Sequence, residues 1–152
     1  MAHLKERRET TEEYFFGQIY KNTKMGADAI INLLPHIKND ALRSVVTLQL
    51  DGYEKYAARA AAALRERGRE PKEEGLFTRV SARVGMAFNT MLDSTTGHVA
   101  EMMIEGSNMG ITDMIKLLND HEPRGSSPEA VRLAREVVAF EEHNLEMLKR
   151  YL

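Results

Sequence analysis

With 152 residues, 43% hydrophobic and 29% charged side chains and a formal net charge of −2, the chain reads as one globular domain spanning 1–152. That balance excludes a global basic field for nucleic acid or anionic membrane, and no apolar run is long enough to span a bilayer. Cys and Trp are absent, which excludes disulfides, thiolate metal sites and a Trp stacking platform for single-stranded nucleic acid.

The N-terminal stretch MAHLKERRETTEEYFF is charged and lacks the apolar segment of a secretory signal, so the expected location is cytoplasmic. From about His3 to Leu34 the pattern is helical, with Ile19, Thr23, Gly26, Ile30 and Leu33 inward and Pro35 as the stop. Asn39 or Asp40 caps a second helix that runs to about Arg67, where Gly68 and Pro71 end it. Its spacing places Val45, Leu48, Gly52, Tyr56, Ala60 and Ala63 inward. REPKEEG is a polar linker.

Helical pattern then runs from about Leu76 to Leu118. A straight helix of that length would exceed roughly 60 Å at the usual rise per residue, too long for a domain of this size. A break at Gly85-Met86 is expected, leaving a short extra helix before a long third helix from about Ala87. After the loop NDHEPRGSS, Ser127-Pro128-Glu129 is a strong helix start: cap, proline and first-turn acid. The last helix turns Val131, Ala134, Val138, Glu141, Leu145, Leu148 and Leu152 to one side. Hairpin and strand signals are missing. The expected fold is all-α, an antiparallel four-helix bundle.

The bundle carries an internal repeat. TKMGADAIINLL from Thr23 aligns with SNMGITDMIKLL from Ser107, with Met25, Gly26, Ile31, Leu33 and Leu34 identical to Met109, Gly110, Ile115, Leu117 and Leu118. VVTLQLDGYE from Val45 aligns with VVAFEEHNLE from Val137. The shared Met-Gly is a poor helix choice, so its recurrence marks a duplicated helical hairpin.

A duplicated hairpin of this length resembles the ferritin-like superfamily. MG in the first helix, LDGY in the second and HVAEMMIEGSNMG in the third are also similar to small ferritin-like proteins of anaerobic Gram-positive bacteria, a group that implies no assigned activity. The superfamily resemblance implies a di-metal site, with a Glu on helices one and three and Glu-x-x-His on helices two and four. This chain departs from that pattern. Helix two offers Gln49 and Gly52, and helix four Glu141 and Asn144. Helix three has Glu101 and Glu105, but the repeat sets Gly17 and Lys21 against them in helix one.

His98, Glu101, Glu105 and Asn108 recur three or four apart and form one polar stripe. Two readings are open. In one, His98, Glu101, Glu105 and Glu141 hold a single Fe, Mn or Zn ion, with Asn144 and Gln49 orienting the ligands. In the other, these groups pair with cations or face water. Seven glycines in or beside helical pattern (Gly17, Gly26, Gly52, Gly85, Gly97, Gly106 and Gly110) mark either close helix packing, the preferred reading, or a small-molecule cavity where Gly52 stands in place of a bulky ligand near Glu101. AARAAAAL is either a flat dimer face or a packed strip, and Tyr53 and Asp51 can hydrogen-bond across the bundle. No nucleophile elbow, phosphate loop or HExxH is present, and no catalytic residue is assigned. The functional expectation is a non-catalytic bundle acting through helix-face association, as a homodimer or with a protein partner. The alternative is a metal-binding or oxidoreductase protein with a residual site in the core.

Overall fold

The computed structural model describes residues 8–72, 95–121 and 127–152, with the backbone alone at His121. Among the described residues every regular element is a helix: α1 (Thr11–Leu33), a 3-10 turn (Leu34–His36), α2 (Asp40–Glu66), α3 (Thr96–His121) and α4 (Pro128–Lys149). The four long helices pack against one another, as the hydrophobic spacing predicts. No helix among the described residues is long and apolar enough to cross a membrane. The expected short helix, the break at Gly85-Met86 and the loop after His121 lie outside the described residues.

Two helix starts differ from expectation, each for a local reason. α1 begins at Thr11 rather than near His3, because Thr10 and Glu13 form a capping box. The Glu13 N–H donates to Thr10 Oγ1 at 3.1 Å, and the Thr10 N–H donates to Glu13 Oε2 at 3.2 Å. α3 begins at Thr96 rather than running on from Ala87; Thr95 is non-helical and its Oγ1 accepts from the His98 N–H at 3.4 Å. Asn39 and Ser127 cap α2 and α4 as their sequence context predicts. Caps of this kind each stabilise a helix by about 1 kcal/mol.

Side-chain contacts fix the directions of the helices. The start of α1, the end of α2 and the start of α4 share one end of the bundle. There Arg69 Nε donates to Glu13 at 2.8 Å, and Arg67 reaches Glu12 and Glu129 while lying 4.7 Å above the Phe16 ring. The start of α3 lies at the other end, where Gly97 meets the backbone of Tyr151 and Leu152. So α1 runs parallel to α4, and α2 and α3 run the opposite way. The chain leaves α2 at one end of the bundle and enters α3 at the other. α1 packs chiefly on α2 and α3 on α4, so the sequence repeat corresponds to two hairpins.

The core has two apolar parts. One gathers Phe15, Phe16 and Ile19 with Ala57–Leu64, Met114 and Leu133 near the Arg67 end; the other gathers Ile30, Ile37, Leu42, Val46, Val99 and Leu148. Each fully buried large side chain contributes about 1.5–3 kcal/mol. Between the two lies a buried polar layer of Thr23, Gln49, Ser107, Glu141 and Asn144. Thr23 is satisfied locally, donating to the Ile19 carbonyl at 2.8 Å. Ala57, Ala60, Ala61 and Ala63 of the alanine strip are core residues, while Ala58 and Ala62 are exposed.

α2 is rotated from its expected setting over its first half, whereas Ala60 and Ala63 are buried as expected. Leu42, Val46, Gln49, Tyr53, Ala57 and Leu64 face inward, and Leu48 is 73% exposed. Two stripes of this helix have helical spacing. The buried one contains Gln49 and Tyr53, polar groups that find partners across the bundle, so hydrophobicity alone favours the wrong stripe.

Candidate ligand-binding site

The polar layer centres on Glu141, which is 2% exposed. Its Oε1 accepts from Asn22 Nδ2 of α1 at 2.6 Å, and its Oε2 accepts from the Tyr53 hydroxyl of α2 at 3.0 Å. Burial pushes the Glu141 carboxyl up to about 7 against the opposing pull of the Asn22 and Tyr53 hydrogen bonds; Asp113 adds a smaller push. Burial, and then the charge of Glu141, raises the Tyr53 hydroxyl well above its ordinary value. One turn on from Glu141, Gln49 Nε2 donates to the Asn144 carbonyl at 3.4 Å. The Asn144 side-chain nitrogen is buried and has no hydrogen-bond partner.

The repeated Met-Gly makes room for this arrangement. A Cβ at Gly26 would lie 2.4 Å from the Tyr53 ring, and a Cβ at Gly110 would lie 2.1 Å from Glu141 Oε2. Each glycine therefore lets a neighbouring helix of its own hairpin press a polar side chain into the bundle centre. Gly52 makes room for the half-buried Phe140 ring from the other hairpin, which would sit 2.3 Å from a Cβ there. Phe140 in turn holds Tyr53 edge-on, with ring centroids 4.9 Å apart. These three glycines mark close packing, as expected.

Gly106 is different: among the described residues nothing lies within 4 Å of a Cβ placed there. It borders a cavity of about 300 Å³ between α1 and α3, with Glu141 and Tyr53 in its wall. Most of the remaining lining is apolar, with Met25, Ile30, Leu33, Met102 and Met103 prominent. The cavity reaches the surface beside Gly106 and Met109, which are both exposed. Asp113, also exposed, is the second acid on its wall, and among the described residues no lysine, arginine or histidine lines it. An adjoining hollow of about 340 Å³ shares Asn22, Met25 and Asp113 and brings in Lys21 and Lys116.

The four residues expected to hold a metal do not come together. Glu141 is inward, as its spacing predicts, but Glu101, Glu105 and Asn108 are exposed and His98 is only half-buried. Among the described residues no group of three His, Cys, Asp or Glu side chains is placed to hold an ion. The inner face of α3 is instead Val99, Ala100, Ser107, Gly110, Met114 and Leu117. Gln49 and Asn144, expected to orient the ligands, are both buried amides. The donor set does not fit iron, manganese or zinc.

Asn22 has no place in the sequence reading, although it sits between Ile19 and Gly26 on the inward stripe of α1. Asp51, by contrast, is exposed and pairs with Lys55 on its own helix at 3.0 Å. No family model, curated protein or solved structure matches this chain.

Proposed function

We propose that this chain is a non-catalytic, ferritin-like bundle that binds a small, largely apolar molecule in the α1–α3 cavity, its polar end against Glu141. The observation that carries this reading is a buried, hydrogen-bonded carboxyl in the wall of an otherwise apolar cavity open to the surface. Few convergent polar groups in a concave apolar site are the usual make-up of a small-molecule site. The ferritin-like part rests on the duplicated hairpins and on a chain that changes ends between α2 and α3, the connectivity of bundles with one long crossover.

Thermal unfolding in millimolar toluene or benzyl alcohol tests the reading. An upward shift of Tm is expected for the natural chain. In Gly106→Leu the new side chain enters the open space beside Gly106, so the shift should vanish while the helical content stays. No shift in the natural chain, or an equal shift in the variant, would remove cavity binding as the function.

A further inference from the structure

We propose that the cavity is a receptor site for a small apolar amine whose ammonium pairs with Glu141. This rests on the reading that the cavity binds small molecules, and it names the chemistry of the polar end.

Three helices surround the Glu141 carboxyl. From α1 it meets Asn22, from α2 Tyr53 and from α3 Asp113. Two of these are neutral donors and the third is another acid. Among the described residues none supplies a cation to the cavity; Lys21 and Lys116 line the adjoining hollow. A buried ionised carboxyl without a cation is costly, and an entering cation of the right size removes that cost. An anionic ligand would face two acids. A neutral hydroxyl would add a hydrogen bond but leave the charge uncompensated. A bare metal ion would need more oxygen ligands than converge here.

The geometry leaves a place for the ammonium. Each Glu141 oxygen accepts one hydrogen bond from the protein and retains further acceptor capacity. The carboxylate itself fills the place of a Gly110 Cβ and rests on the α3 backbone there, so an ammonium approaches it from the cavity, whose wall Glu141 shares. The rest of the ligand then lies among methionine and aliphatic side chains. Methionines adapt to varied apolar shapes, which suits an alkyl or benzyl body better than a polar one.

Binding requires the ionised carboxyl, so it should release a proton below neutrality. Tyr53 keeps its proton across this range. The affinity for an amine should therefore rise by about tenfold per pH unit up to about pH 7 and level off above it.

Calorimetric titration with benzylamine, benzyl alcohol and toluene, on the natural chain and on Glu141→Gln, tests the proposal. At pH 8 the amine should bind the natural chain at least about tenfold more tightly than the alcohol, since a hydrogen bond to a charged partner is the stronger one. In Glu141→Gln that preference should fall to about onefold while the alcohol stays within about threefold of its original affinity. Equal affinities in the natural chain, or a preference that survives in Glu141→Gln, overturn the amine assignment and leave cavity binding standing. If none of the three binds the natural chain, cavity binding itself fails. The pH series on the natural chain needs no variant: an amine affinity unchanged from pH 5 to 8 also overturns the assignment.

Discussion

The two hairpins share a backbone device and differ in what they do with it. In the first, Gly26 of α1 makes room for the Tyr53 ring; in the second, Gly110 of α3 makes room for the Glu141 carboxyl. The glycines are repeat partners, but the side chains they admit are not: the counterpart of Glu141 is Gln49, and that of Tyr53 is Leu145. The donor and acceptor of the central hydrogen bond thus come from opposite hairpins. A second asymmetry lies beside it. Asn22 donates to Glu141, whereas its counterpart Gly106 contributes no side chain and borders the open cavity. A third concerns Gly52, which admits the Phe140 ring. Its counterpart Asn144 carries a side chain, and Leu48, the counterpart of Phe140, is left exposed. The two repeats share their glycine positions and differ at these others, which places the acid in one half and the open space beside it.

Glu141 offers the largest test of that asymmetry. Its carboxyl sits at about 7 in the folded chain against an ordinary value of 4.5. Between those values the unfolded chain has given up the proton and the folded chain keeps it. Stability should therefore fall as pH rises through this window, by up to about 3 kcal/mol, and stay level above it. Gln49, the uncharged counterpart, contributes no such fall. In urea unfolding at pH 4.5 and pH 8, Glu141→Gln should gain about 3 kcal/mol relative to the natural chain between the two pH values. A difference that does not change with pH would mean that the carboxyl is not held in the layer described.

How much of this could be read in the sequence depends on what kind of force sets each feature. Helix number, the caps at Asn39 and Ser127 and the inward setting of Ile19, Ala134 and Glu141 follow from short-range chemistry and spacing, and the structure agrees. The capping box at Thr10 and Glu13 was legible too, but hydrophobic spacing does not register it. The facing of α2 was not legible, because it is set by partners far away in the chain: Tyr53 turns inward to reach Glu141. The polar stripe of α3 has regular spacing, which shows only that its residues share a face. That face points outward because Ser107, Gly110 and Met114 fit the crowded interior better. The cavity depends on four helices at once. Gly106 looks like any other helical glycine until its surroundings are known.

The repeated glycines give the next contrast. An Ala at Gly26 would press on the Tyr53 ring, which Phe140 holds from its other edge. Overpacking outweighs the gain in helix propensity there, and Gly26→Ala should cost about 1–2 kcal/mol. An Ala at Gly110 meets the end of a longer, more flexible side chain, so the carboxyl can move away. Gly110→Ala should cost about 1 kcal/mol or less, mainly through the lost Tyr53 hydrogen bond. Equal costs in chemical denaturation would show the two pockets to be equally rigid and would erase this contrast.

Gly106→Ala should have the smallest effect and the opposite sign. The site is an exposed helix interior with no atom of the described residues within 4 Å of the added carbon, so no clash with them offsets the better helix propensity of Ala. Stability should rise by about 0.5–1 kcal/mol, read as a higher urea midpoint with an unchanged slope. The gain would also bear on why the position is glycine. A residue that weakens its helix and packs against nothing is accounted for by the space it leaves. That space adjoins Glu141, and at the repeat-related position Asn22 fills the corresponding place with a donor. A loss of stability in Gly106→Ala would mean that another group already occupies the space, and the cavity would then close where the proposed ligand enters.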